Sequence, residues 1–563
     1  MITSKYIDKI VAIMMLLALV ISLIIFSGKV KATDTVPALQ ESGQHMEYEK
    51  KIFDTSKPVS IDIKMDAKNW AELLKNASKR EWQSCDVVIN GTTFYNVGIR
   101  AKGDSSLSSI AEDSNTNRFS FKLKFDKYKD GQKCWGLDKL ALNNNYGDAT
   151  NMKEAFVYDM FKTLGADASL YNFAKMSVNG NYWGVYLALE PVDKSFLKRN
   201  YGDQKGALYK PGEDKGDSGV DEWEEMDMEG GAANAGDAVN VDEDTEAGAR
   251  LDYIDDNLDS YWAIWQCQVT KTGKKDHERV VEALKNISEK KDLEKYMDMD
   301  NVLRYMAVHN FSVNNDSLSG DGAHNYYLYE SDGKLNIIPW DYNLCFGAYD
   351  MEVDATAGES SVITETATDM INKPIDDSWR LTSFFDGILQ NEEYRERYHK
   401  YYQQLVDKYV LGAGFDVFYS RTRSKIDDLV KDDPNALYSY EKYDAGAKMF
   451  ADAVKLRGQS VSGQLSGTIP STLEEQKKHP EKLIDASAIN LSTMGSDSTT
   501  GEEFNAEEFA DVDWNAEMAQ FFEKQKAEKQ KTLTRNMVQY SICFVALAAA
   551  LVFAKNYKRG ANH

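Results

Sequence analysis

Apolar and polar residues alternate in short runs through the first third of the chain, and apolar residues recur at helical spacing through much of the remainder. Val59 to Met65 reads as a strand, and Asp66 followed by Trp70 to Leu74 reads as a capped helical turn. Val87-Val88-Ile89, Asn90-Gly91 and Phe94 to Ile99 predict a hairpin with a tight turn, and Phe173 to Val178, Asn179-Gly180 and Tyr182 to Leu189 predict another. Between them Phe119 to Phe125 alternates as a strand. Asn151 to Leu164 places Ala155, Val157, Tyr158, Phe161 and Leu164 for burial, with caps in Asp148 to Thr150 and Gly165 as the stop. A third hairpin runs from Tyr326 to Tyr329 and back from Lys334 to Ile338. Trp379 to Val410, Phe418 to Leu429 and Lys442 to Leu465 carry helical periodicity. The expected fold class is α+β, with a β-rich first lobe and a mainly helical second.

Both ends are patterned for a bilayer. Lys5 and Lys9 precede the apolar run Ile10 to Phe26, a signal peptide or signal-anchor over residues 1–32, with cleavage permitted after Ala32. Met537 to Ala554 is a second uncharged run, followed by Lys555, Lys558 and Arg559, which predicts a transmembrane helix at 537–554 and a cytoplasmic tail at 555–563. The body between them is then expected outside the cytoplasmic membrane. Within it, composition predicts a linker at 33–55, the β-rich lobe at 56–212, an acidic insertion at 213–248, the helical lobe at 249–466 and a flexible tether at 467–530, polar from Thr468 to Gln520. Glu213 to Glu246 reads as disordered, with a docking surface for basic, Ser-rich substrates as the alternative.

The chain has 563 residues, 42% hydrophobic and 28% charged, enough for a large core. A formal net charge of −24 argues against nucleic acid as a partner, because no basic face is available to neutralise phosphates. Cys85, Cys134, Cys267, Cys345 and Cys543 form no CxxC pair and signal neither zinc nor a disulfide framework, although a bridge between Cys85 and Cys134 stays open.

The candidate chemistry lies in Asn314-Asn315-Asp316-Ser317, His324-Asn325-Tyr326 and Pro339-Trp340-Asp341. Asp, Asn and Asp in that order suit phosphoryl transfer, in which one carboxylate orients the attacking hydroxyl while an amide and a second carboxylate hold Mg²⁺. The third hairpin would bring Asn325 and Asp341 to neighbouring strand ends. Turn chemistry alone would also account for Asn-Asn-Asp-Ser, and capping for Pro-Trp-Asp. Upstream, Gly103, Ser105 and Ser106 sit in a loop between two strands that could cradle phosphates. Lys122 and Lys124 share a strand face, and Glu154 lies in the first turn of the Asn151 to Leu164 helix. Solvent exposure and a favourable N-terminal charge are the plainer explanations for these. Loop, lysine strand, glutamate helix, hairpin, then Asp, Asn and Asp is nevertheless the order of working parts in a protein kinase.

Several longer stretches resemble the CotH family of spore-coat and surface proteins, whose bacterial members include atypical protein kinases. They are Val97 to Ser106, Ser120 to Phe125, Leu140 to Asn145 with Asp148, Val178 to Tyr186 with Glu190, Leu208-Tyr209-Lys210, and Asp316 to Gly347, within a similarity spanning roughly Val59 to Leu465. The resemblance implies a kinase-like two-lobe fold and transfer of phosphate from Mg-ATP, or Mn-ATP, to protein Ser, with Asp316 as catalytic acid and Asp341 as metal ligand. Kinase order adds Asn325 as a second metal ligand and Lys122 with Glu154 as the phosphate-orienting pair, Lys124 or Lys210 being alternatives to Lys122. Some relatives carry a second acid where this chain has Asn343, and Asn is common in the family where it has Asp104. The expected partner is a basic, Ser-rich protein. A noncatalytic surface scaffold or adhesin on the same fold is the alternative, favoured by a location in which ATP is scarce.

Overall fold

Three hairpins close through two-residue turns in which both residues take positive φ: Asn90-Gly91 at 47° and 83°, Asn179-Gly180 at 52° and 85°, and Asp332-Gly333 at 53° and 81°. Such turns match the right-handed twist of the flanking strands and demand Asn, Asp or Gly. The computed structural model describes residues 43–202, 206–212, 249–320, 323–349, 367–377, 379 and 382–496. Helix α1 (Glu47–Lys51), strand β1 (Val59–Lys64) and helix α2 (Ala67–Lys75) come first, with Asp66 accepting from the Lys68 and Asn69 amides as the α2 cap. Strands β2 (Gln83–Ile89), β3 (Thr92–Lys102), β4 (Ser120–Lys124), β5 (Lys139–Asn143), β6 (Tyr171–Val178) and β7 (Asn181–Leu189) follow, interrupted by helices α3 (Ser105–Glu112) and α4 (Lys153–Leu164).

These seven strands form a closed barrel in the order β1-β2-β3-β4-β5-β7-β6, sealed by parallel pairing of β1 with β6. Ile61, Ile63, Val87, Ile99, Phe121, Leu123, Leu142 and Met176 fill its interior. Closure removes the sheet edges that would otherwise template aggregation. Ala141, Val185, Leu187 and Leu189 face the other way and join the core of α4 and the helical lobe. This outward apolar patch seats the barrel on the rest of the molecule.

The helical lobe is built around α7 (Met299–Ser312), preceded by α5 (Lys194–Tyr201), the short strand β8 (Ala207–Tyr209) and α6 (Lys274–Ser288). Helix α7 packs against α4 and against α8 (Glu392–Gln404), and only Asp300 of its residues escapes burial. Strands β9 (Tyr326–Ser331) and β10 (Lys334–Pro339) form a second sheet with β8 in the order β10-β9-β8, while α9 (Ala413–Lys431) and α10 (Tyr440–Leu465) complete the lobe.

The described parts of two segments expected to be linkers, residues 43–55 and 468–496, pack against the body. Tyr48, Ile52 and Phe53 are buried, because the Tyr48 hydroxyl reaches the interior carboxylate of Glu190 at 2.6 Å. Residues 468–496 lie on the helical lobe through buried Ile469, Ala486, Ile489, Leu491 and Met494, and the Ala149 amide donates to the Met494 carbonyl at 3.1 Å. Sparse apolar residues in a polar stretch carry no period, yet five of them suffice to dock it. Cys85, Cys134, Cys267 and Cys345 are buried free thiols, so Cys85 and Cys134 are not bridged. Among the described residues no helix is long and apolar enough to cross a membrane. Ile10 to Phe26, Glu213 to Glu246 and Met537 to Ala554 lie outside the described residues.

Candidate active site

The cleft forms where the outer face of β3 and β5 meets the first turn of α4 and the chain leaving β10. Lys102, the last residue of β3, donates from Nζ to Asn143 Oδ1 at 2.6 Å, and Asn143 Nδ2 donates to Glu154 Oε2 at 2.9 Å. All three side chains are buried. Burial first, and then the charge of Asp341, push Glu154 up to about 8, against the pull of Asn143 and Lys102. Its second oxygen, Oε1, is buried without a hydrogen-bond partner. Lys102 Nζ also lies 5.8 Å from the ring centre of Trp340, and Lys210 Nζ lies 5.7 Å from the same ring and 5.6 Å from that of Tyr327.

Asp316 sits in the loop after α7. Asn325 Nδ2 donates to its Oδ2 at 3.0 Å and to its carbonyl at 2.9 Å, while His324 Nε2 lies 2.7 Å from Oδ1. The third hairpin does carry Asn325 and Asp341 to neighbouring ends, since Tyr326 is the register partner of Pro339. Asn314 Nδ2 donates to the Asp341 carbonyl at 3.3 Å, which ties the Asp316 loop to the Asp341 segment. The Oδ1 of Asn314 is buried with no partner. Val313, Asn325 and Asp341 all have left-handed backbones, at φ 48°, 57° and 59°. For a β-branched valine this is an outlier, and such strain concentrates at functional sites.

The lysine brought to Glu154 is Lys102, where kinase order had suggested Lys122. Lys122 is on the same outer barrel face but pairs with Arg100 and Ala141, whereas Lys102 pairs with Ser120, one step nearer the cleft. Lys124 is deeper still along that face, beside Lys139. Gly103, at φ 111°, turns the chain directly into α3, so Ser105 and Ser106 open a helix and not a loop leading to a returning strand. A Cβ on Gly103 would come within 2.8 Å of Ser106 Oγ. Asp104 is held by Arg80 at 2.8 Å. The amide of Asn343 donates to the Tyr146 carbonyl at 2.8 Å.

Among the described residues no three His, Cys, Asp or Glu side chains gather into a metal cluster. Glu154, Asp341 and the unpartnered amide oxygen of Asn314 offer a mixed, all-oxygen set. That set fits Mg²⁺, which takes one or two carboxylates and leaves its other positions to water and phosphates.

Residues 99–461 match the CotH kinase protein family. The chain belongs to that family. It is also 26% identical over 341 residues to inner spore coat protein H of Bacillus subtilis (strain 168), an alignment covering 59% of this chain and 79% of that protein. Lys102, Asn143, Glu154, Asp316, Asn325 and Asp341 all fall inside the CotH span. Lys102, Asn143 and His324 are the site residues that order alone did not single out. The phase of β3 carries one signal: the outward positions Arg100, Lys122 and Lys124 share their face with Lys102, which stands at its cleft end.

Proposed function

We propose that this CotH protein is an atypical protein kinase with a kinase-like two-lobe arrangement, transferring phosphate from Mg-ATP, or Mn-ATP, to Ser of a basic protein. The reading rests above all on the carboxylate of Asp316, oriented on both oxygens by Asn325 and His324 and tied through the Asn314 bond to the Asp341 segment, whose Trp340 neighbours Lys102. Asp316 would accept or orient the proton of the substrate hydroxyl as the oxygen attacks. Lys102 would bear on the phosphates, its ammonium fixed by Asn143. Glu154, Asp341 and Asn314 or Asn325 would hold the divalent ion, which with ATP supplies the phosphoryl donor and neutralises its charge. The buried Trp340 and Tyr327 would wall the nucleotide pocket and exclude water.

The apolar runs Ile10 to Phe26 and Met537 to Ala554 would tether the body to the membrane with the catalytic part outside the cytoplasm, near coat or surface proteins. The test is transfer of label from γ-labelled ATP to a basic, Ser-rich protein by the purified full-length chain, beside Asp316→Ala and Asp341→Ala. Transfer lost in both variants supports the kinase. Neither transfer nor metal-dependent nucleotide binding in the unmodified chain would mean a noncatalytic scaffold.

A further inference from the structure

His309 occupies the last turns of α7 with its ring buried between Tyr305 and Trp379, 5.1 Å from each. Both ring nitrogens are engaged. Nδ1 is 2.9 Å from the Tyr342 hydroxyl, next to Asp341, while Nε2 is 2.7 Å from Ser319 Oγ and 3.2 Å from Ser317 Oγ, in the loop of Asp316.

Ser317 gives its proton to the Asn314 carbonyl at 2.7 Å, whereas Ser319, the nearer partner of Nε2, can give or accept, so each neutral tautomer leaves one ring nitrogen donating and the other accepting. A single neutral ring thus donates to one loop and accepts from the other. Burial, and then the charge of Lys373, hold the imidazole neutral, down to about 3.

We propose that His309 is a positioning residue, one imidazole that sets the Asp316 loop and the Asp341 segment in register with each other. The role deepens the kinase reading and rests on it for its catalytic consequence. The two loops share further bonds, from Phe346 N to the Ser312 carbonyl and from Asn314 to the Asp341 carbonyl, so loss of the imidazole link shifts the acids without unfolding the lobe.

Tyr342→Phe cuts one arm, Ser317→Ala together with Ser319→Ala cuts the other, and both variants leave the ring packed. Each should lower kcat about tenfold while nucleotide affinity stays within about twofold, since small misplacements of reacting groups act on turnover. The variant with both arms cut should match either alone, because one cut already breaks the imidazole link. Losses that multiply would overturn the proposal. Amide hydrogen exchange judges it independently of turnover: either variant should deprotect residues 314–320 and 342–346 together. Deprotection confined to the segment that carries the substitution would overturn the link. Absence of label transfer in the unmodified chain would count against the kinase reading alone, leaving the exchange pattern to decide the role of His309.

Discussion

Asn143 stands between Lys102 and Glu154, accepting from one and donating to the other, so the buried ammonium and carboxylate communicate through an amide. An amide bridge fixes the amine and the carboxyl at a distance and leaves one Glu154 oxygen for another partner. Lys102→Met should lower kcat/KM about a hundredfold or more, while Lys122→Met should change it less than about threefold. Steady-state kinetics on the two variants decides which lysine works in the cleft, and the reverse ranking would restore Lys122.

The two acids should fail differently. Asp316→Asn preserves the bonds of Asn325 in shape but removes the proton acceptor, so turnover should fall about a thousandfold with nucleotide binding intact. Asp341→Asn should weaken Mg²⁺-dependent nucleotide binding itself. Equilibrium titration with a fluorescent ATP analogue separates the two outcomes.

Cation binding at Glu154 would carry a proton signature. With its carboxyl raised to about 8, the group is largely protonated at neutral pH, and a bound cation favours the charged form. Mg-nucleotide binding at pH 7 should therefore release protons, and affinity should strengthen as pH rises toward and past about 8. Calorimetry in buffers of different ionisation heat measures the release, which Glu154→Gln should abolish.

The neutral, buried His309 makes the fold sensitive to acid. Its folded value of about 3 lies below the usual 6.5, so its stabilisation is complete above 6.5 and is lost as pH falls toward 3, where the unfolded chain binds the proton. Urea midpoints for His309→Gln should show a pH slope shallower by about 1.4 kcal/mol per unit across that window. An unchanged slope would mean that other groups set the acid limit.

Arg118 and Asp433 pair at 2.7 Å with side chains 3% and 1% exposed, joining the barrel to the turn between α9 and α10. Arg118 also donates to the Asn144 carbonyl, and Asp433 accepts from the Val185 amide. Removing either partner strands a buried charge, so Arg118→Met and Asp433→Ala should each cost about 3–5 kcal/mol. The double variant should lose clearly less than the sum, as read by chemical unfolding.

The hairpins were legible because Asn-Gly and Asp-Gly pairs fix turn and register locally. Helix α4 was legible from its apolar spacing and from Gly165, which takes φ 71° at the end. Barrel closure was not, since β1 finds β6 across more than a hundred residues and parallel pairing leaves no local mark. Asp316, Asn325, Glu154 and Asp341 could be named as candidates from their order, and the lysine that lies beside Asn143 and Glu154 could not. Lys102, Lys122 and Lys124 share one face by period, and only the place of Lys102 at the end of β3, beside Asn143, decides which reaches Glu154. His309, and the part played by His324, escaped notice for a similar reason: an isolated histidine gives no period, and its meaning lies in partners brought from other elements.

The hydrogen bond from Ala149 to Met494 gives the polar C-terminal segment a mechanical role. Any pull arriving along the chain from beyond residue 496 meets this bond and the buried Met494 side chain before it meets the barrel or the sheets. Ala149 lies just ahead of the helix that begins at Lys153 and presents Glu154. Tension on the tail would thus act first on the turn that leads into the helix presenting Glu154.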